Sequence, residues 1–209
     1  MRKMHTPHEV WHDVTEAPRD WAGCVLTIGV FDGFHRGHQA LIDRARKRAR
    51  RQRLPLVLMT FDPHPRSVTR PEAAPQLLLS VGERVAMAHS LGVDIVLVVP
   101  FTRAFASVPA EEFISQTLGA TLQTQAVVIG DNFRFGAGGR GDVALLQALG
   151  TRAKFDVEVV APVEISGRAC SSTEIRRCLA EGDTRGIRSL LGRPHLRAYL
   201  GLVSLGGHA

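Results

Sequence analysis

The stretch Gly29-Val30-Phe31-Asp32-Gly33-Phe34-His35-Arg36-Gly37-His38 places two histidines three positions apart among three glycines. It follows an apolar run, Cys24-Val25-Leu26-Thr27-Ile28, and precedes a segment, Gln39–Arg53, whose pattern predicts a helix. Where a strand turns into a helix, backbone N–H groups and the positive end of the helix dipole meet, which suits a phosphate. Gly33 and Gly37 let the backbone approach a ligand closely. The imidazoles of His35 and His38 can donate hydrogen bonds to oxygens that gain charge in an in-line displacement. The chemistry this implies is transfer from a nucleoside triphosphate. Two histidines at this spacing also suit zinc, but no third ligand stands nearby at a metal-site spacing.

The elements that position this stretch alternate along the chain. Apolar runs predict strands at Val25–Val30, Leu56–Phe61, Asp94–Pro100, Ala126–Gly130 and Asp156–Ala161. Helical patterns lie between them at Gln39–Arg53, Val81–Leu91, Ala110–Leu118 and Val143–Leu149. The alternation predicts an α/β domain built on a mostly parallel five-stranded sheet flanked by helices. Two further helices, Thr173–Glu181 and Asp183–Leu191, form a C-terminal helical pair stopped by Gly182 and Gly192.

Such sheets bind ligands beyond the carboxyl ends of their strands. The remaining motifs fall there. Asp62-Pro63-His64-Pro65 follows the second strand and reads as a stiff, pocket-shaping loop or simply a rigid turn. Asp131-Asn132-Phe133-Arg134-Phe135-Gly136 follows the fourth and reads either as a ligand loop or as a hairpin-like loop with core phenylalanines. Ser171-Ser172-Thr173 opens a helix, where hydroxyls serve as an ordinary N-cap or hold an anion together with Arg176.

Composition narrows the function classes. The 209 residues suffice for one domain with a large core, and 44% hydrophobic content with 22% charged is ordinary for a globular chain. No N-terminal signal segment is visible, and runs such as Ile95–Phe101 fall far short of the ~20 residues a membrane-spanning helix needs. Cys24, Cys170 and Cys178 have no C-x-x-C spacing and read as reduced thiols of a cytoplasmic protein. The formal charge of +6 is concentrated between Arg44 and Arg53, which holds seven basic residues and no acidic one. With Leu41, Ala45 and Ala49 on one helix face, these arginines read as a solvated surface and not as a specific nucleic-acid patch, since no aromatic residues are interleaved.

Gly29-x-Phe31-Asp32-Gly33-x-His35-x-Gly37-His38 resembles the signature of the nucleotidylyltransferase superfamily. Taken in order with Thr60–Pro65, Gly130–Gly136, Ser171–Arg176 and the ending Leu190-Leu191-Gly192-Arg193-Pro194, it resembles the FMN adenylyltransferase (FAD synthetase) module of bacterial bifunctional riboflavin kinase/FAD synthetases. The resemblance covers about residues 23–194. It implies a Rossmann-like nucleotidylyltransferase fold and the reaction ATP + FMN → FAD + pyrophosphate, assisted by Mg2+ carried with ATP. His35 and His38 are implied as the catalytic pair. Gly29, Phe31, Asp32, Gly37, Ser171, Ser172, Thr173 and Arg176 are implied at the ATP phosphates, with the backbone of Phe31 and Asp32 lining the nucleotide. Asp62, Pro63, Phe113, Asn132 and Phe135 are implied at FMN, Phe135 against the isoalloxazine ring and Phe113 alternatively as a core residue. The magnesium ligands are not placed.

Two departures stand out. Thr69 lies near where the family often carries a large apolar residue, and Cys170 replaces an aliphatic one. Residues 1–22 are expected as an N-terminal extension and 195–209 as a tail. No Pro-Thr-Ala-Asn motif occurs, so no riboflavin kinase activity is expected from this chain. Other readings are a flavin- or nucleotide-binding remnant without turnover and a related transferase with another phosphate acceptor.

Overall fold

The computed structural model describes residues 8–192. Six parallel strands form its main sheet: β1 (Glu9–Trp11), β2 (Val25–Ile28), β3 (Leu56–Asp62), β4 (Ile95–Pro100), β5 (Ala126–Gly130) and β6 (Asp156–Val160). Their spatial order is β1-β4-β3-β2-β5-β6. A small antiparallel hairpin, β7 (Glu164–Ile165) and β8 (Arg168–Ala169), follows. The helices are α1 (Arg36–Gln52), α2 (Pro65–Thr69), α3 (Val81–Ser90), α4 (Arg103–Ala106), α5 (Ala110–Glu112), α6 (Val143–Ala153), α7 (Ser172–Ala180) and α8 (Thr184–Leu191). Helix α5 runs on as a π-type turn over Phe113–Thr121.

The central strands are apolar because both faces are covered. Val25, Leu56, Leu58, Val96, Val98, Ala126 and Val128 point to one core, shared with α1, α3, α7 and α8. The alternate residues Leu26, Val57, Met59, Ile95, Leu97, Val127 and Ile129 point to the other, shared with the 110–121 segment and α6. The order of strands reverses at β2, which has β3 on one side and β5 on the other. That reversal opens a crevice beyond the carboxyl end of β2, where sheets of this kind bind ligands.

The expected α/β architecture with a parallel sheet and C-terminal helical pair is present, with six strands instead of five. The additional one, β1, pairs with Ile95–Leu97 of β4 at the sheet edge. Three residues carry no readable periodicity of their own. Trp11 and Trp21 are buried and pack at 5.2 Å in the second core, so residues 9–21 are continuous with the sheet and not a separate extension. The expected tail, 195–209, lies outside the described residues, as do Arg193 and Pro194.

The arginine-rich face of α1 is ion-paired. Arg44 and Arg48 meet Glu158 at 2.5 and 2.9 Å, and Arg46 and Lys47 meet Asp43 at 2.9 and 2.7 Å. Leu41, Ile42, Ala45 and Ala49 form the buried stripe beneath. Cys24, Cys170 and Cys178 are buried free thiols.

Candidate active site

Helix α1 begins at Arg36, three residues earlier than the pattern predicts, so Gly37 and His38 are its first turn. His35 is the N-cap: its Nδ1 accepts a long 3.4 Å hydrogen bond from the His38 N–H. An accepting Nδ1 leaves the proton of the neutral ring on Nε2, a donor available to a ligand. The two imidazoles stack with centroids 3.7 Å apart. Gly37 permits this stack, because a Cβ there would lie 3.0 Å from His35 Nδ1 and 3.2 Å from the Cys170 carbonyl.

Desolvation pushes the His35 pKa down to about 4, and burial, with the neighbouring His35 as a lesser cause, holds His38 well below its ordinary value. Both rings are therefore neutral donors near pH 7. His38 Nδ1 is buried and has no hydrogen-bond partner among the described residues. A buried polar atom without a partner is costly, which marks a place where a ligand group belongs.

The loop between β2 and α1 is held from below. Phe31 and Phe34 are fully buried with φ of 52° and 41°, and Gly33 takes φ 103°. Non-glycine residues in this left-handed region persist only where packing over-determines them. Phe31 packs 5.0 Å from the His38 ring, and Phe34 lies 5.8 Å from Phe31. The Phe31 side chain is thus core, leaving only its backbone for a nucleotide.

Asp32 is buried and joins three segments. Its Oδ1 accepts from the Leu78 and Leu79 N–H groups at 2.9 and 3.0 Å. Its Oδ2 pairs with Arg176 Nη2 at 2.5 Å, and its carbonyl accepts from Ser172 Oγ. Arg176 Nε also donates to the Gln76 carbonyl at 2.7 Å. Arg176 and Ser172, expected at the ATP phosphates, are both fastened to the β2–α1 loop. Ser171 is the N-cap of α7 and accepts from Glu174 N at 3.1 Å, the ordinary capping role. Thr173 is exposed on the first turn. The two helix N-termini, α1 and α7, are thereby locked side by side around Asp32.

The residues expected at the flavin divide. Asp62, Pro63 and Asn132 are exposed at the carboxyl ends of β3 and β5. Phe113 and Phe135 are buried in the second core, so neither presents a face to a ligand. A Cβ at Gly141 would meet the Phe135 ring at 2.7 Å; this glycine makes room for Phe135 to turn inward. Phe133 stacks on Phe135 at 5.5 Å and is half-buried. Phe61, Phe101 and Phe105 extend the aromatic row, with Phe61 and Phe101 5.4 Å apart and Phe105 linked to Phe113 at 6.1 Å. Phe133 and these three are the partly exposed aromatics that sequence reasoning passed over. The alternation of faces around Phe133 and Phe135 depends on a bridge to Gly141, which no local signal announces.

His64, also unassigned from sequence, caps α2 by accepting from Arg66 N at 3.0 Å. Its pKa is lowered, mainly by burial. Arg84 was missed as well: it is 1% exposed and reaches the ends of β2 and β3 from α3. A signal was present, since Arg84 shares a helix face with buried Ala88 four residues on. Among the described residues no three His, Cys, Asp or Glu side chains gather to hold a metal ion, and no helix is long and apolar enough to cross a membrane.

Residues 17–174 match the family model described as FAD synthetase. The chain is 40% identical over 183 residues to the bifunctional riboflavin kinase/FMN adenylyltransferase of Escherichia coli strain K12, covering 88% of this chain and 58% of that protein. It is 42% identical over 172 residues to the protein of the same name from Pseudomonas fluorescens, covering 82% and 55%. It therefore spans little more than half the length of these relatives. Among solved structures, one titled "Macrolide-efflux Protein from Streptococcus pneumoniae" superposes with a TM-score of 0.76 at 29% identity, covering 88% of this chain and 60% of that one.

Proposed function

The chain belongs to the FAD synthetase family, and from that premise we propose that it transfers AMP from ATP to FMN, giving FAD and pyrophosphate. The unit carrying this activity is residues 23–194, and a cytoplasmic location is part of the same reading. The observation that carries it is the stacked, neutral pair His35 and His38 on the N-terminus of α1, with α7 fastened beside it through Asp32.

An FMN phosphate oxygen is already a nucleophile, so no covalent enzyme intermediate is required. It attacks the α-phosphorus of ATP in line; the new P–O bond forms as the bond to the β-phosphate bridging oxygen breaks and pyrophosphate leaves. Catalysis is then alignment together with stabilisation of charge spread over non-bridging oxygens. His35 Nε2–H and the His38 ring serve as donors to those oxygens, and neutral rings do so without losing a proton. The first-turn N–H groups of α1 and α7, with Thr173, receive the triphosphate. Magnesium bound with ATP would supply charge neutralisation on the phosphates. Phe133, with Phe61, Phe101 and Phe105, offers the flavin ring an aromatic row between the loops that carry Asp62 and Asn132.

Incubating the protein with FMN, ATP and magnesium is expected to yield FAD and pyrophosphate in equal amounts. Folded protein that yields no FAD above background across several divalent metals would remove the reading. Turnover with another phosphate acceptor in place of FMN would redirect it to a related transferase, and tight flavin binding without turnover to a binding protein.

A further inference from the structure

Arg84 is a cation almost wholly removed from solvent, at 1% exposure. Its Nη1 donates to the Val30 carbonyl at 3.1 Å, to Thr60 Oγ1 at 2.8 Å and to the Phe61 carbonyl at 3.1 Å. Thr60 Oγ1 in turn donates to the Val30 carbonyl at 2.9 Å. These contacts tie the carboxyl end of β2 to that of β3, immediately before the two loops that carry His35 and Asp62. Nε and Nη2 of Arg84 have no partner, and no carboxylate is ion-paired with it among the described residues. Asp32, the buried acid of this region, is already committed to Arg176 and two backbone amides.

Hydrogen bonds to two carbonyls and a hydroxyl ask only for a neutral donor, which a glutamine supplies. A guanidinium at the same place carries a burial cost that such bonds offset only in part, because isolated buried charge is disfavoured. Burial is the main influence lowering the Arg84 pKa, and Asp32 and Asp62 oppose it through space without bonding to it. No carboxylate neutralises the charge by contact among the described residues, and it lies beneath a crevice whose ligands are polyanions, in a setting where screening by water is weak. Its position is held by three bonds, so it costs no reorganisation when an anion arrives.

We propose that Arg84 is a positioning residue of the phosphate site: a buried cationic brace that fixes the start of the β2–α1 loop and supplies positive field to the anionic substrate above it. It acts through Val30, Thr60 and Phe61 and through the field, and it does not touch the reacting atoms. The proposal rests on the adenylyltransferase reading for the identity of the polyanion, ATP.

Two substitutions separate charge from brace. Arg84→Gln keeps donors and discards charge; Arg84→Lys keeps charge and discards the fork. ATP affinity is measured by calorimetry without FMN, KM and kcat for ATP and FMN from FAD formation, and Tm by circular dichroism. Arg84→Gln should weaken ATP binding about tenfold, the scale expected of one fixed charge several ångströms away at intermediate dielectric. Arg84→Lys should stay within about threefold of the unsubstituted protein in ATP affinity while its Tm falls. Unchanged ATP affinity in Arg84→Gln, or equal weakening in both variants, overturns the role of the charge. An Arg84→Gln protein that cannot fold also counts against it, since the charge would then serve the fold. If the unsubstituted protein makes no FAD, the reaction reading fails, and the calorimetric contrast between Gln and Lys still decides the question for Arg84.

Discussion

Asp32 and Arg176 form an ion pair of 2.5 Å across 144 positions of sequence, joining the turn after β2 to the second turn of α7. Asp32 is fully inside and the Arg176 side chain is 23% exposed. Together with the Ser172–Asp32 contact, the pair fastens α7 to the β2–α1 loop. It also explains why the Leu78–Leu79 segment lies against the site, because the same carboxylate receives both amides.

Replacing Asp32 with Asn retains an acceptor for the amides and removes the charge facing Arg176. Breaking a partly buried pair from one side leaves a cation uncompensated, and the expected loss is about 1–3 kcal/mol of stability. FAD formation should fall with it, because α7 loses its anchor. Calorimetric unfolding of Asp32→Asn checks this, and a Tm equal to that of the unsubstituted protein would show the pair to be incidental.

Removing the imidazole of His38 should cut FAD formation at least about a hundredfold, the scale seen when one preorganised donor to a transition-state charge is lost. The KM for FMN should change little if the ring acts on the AMP group in transfer, as proposed. Near-normal turnover of His38→Ala would take the central role away from this residue.

The two histidines also link stability to pH. In the unfolded chain each takes up a proton near 6.5, whereas in the folded protein His35 does so only at about 4, through desolvation, and His38 lies well below 6.5 through burial. Below 6.5 the unfolded state binds protons that the folded state refuses, so stability is fully present above pH 6.5 and falls as pH drops toward 4. For His35 the whole window is worth up to about 3 kcal/mol. Thermal melts between pH 8 and 5 should show a declining Tm, and His35→Gln should flatten the profile. Equal slopes in both proteins would contradict the buried, neutral state of the ring.

Much of this was readable from residue patterns. Strands β2 to β5 are apolar runs covered on both faces, and such runs carry their own signal, whereas the edge strand β6 is only partly covered and alternates acidic with apolar residues. The first strand is three residues long and acquires its identity only from pairing with β4. The start of α1 was misplaced because Gly37 weakens a helical pattern and histidine is not among the favoured caps, yet His35 Nδ1 serves that role. The convergence of the β2–α1 and α7 motifs followed from strand ends alone, whereas the Asp32–Arg176 contact did not. Arg84 was out of reach for a different reason: its meaning lies in carbonyls of two other strands.

Two aromatic residues after β5 supply a contrast within one loop. Phe133 and Phe135 are two positions apart and stacked, with an interplanar angle of 16°. Phe135 is 7% exposed and packs on Phe113 at 6.0 Å, while Phe133 is half-buried. Truncating Phe135 should act as a core deletion and cost about 3–5 kcal/mol of stability. Truncating Phe133 should leave Tm almost unchanged and raise the KM for FMN severalfold, as loss of a stacking face does, a contribution of about 0.5–1.5 kcal/mol. The KM for ATP should not move in Phe133→Ala. Steady-state kinetics with each substrate varied in turn, beside thermal melts of both variants, reads out the two effects separately. If Phe133→Ala loses stability like Phe135→Ala and keeps its KM for FMN, the aromatic row is core throughout, and the flavin must be held elsewhere.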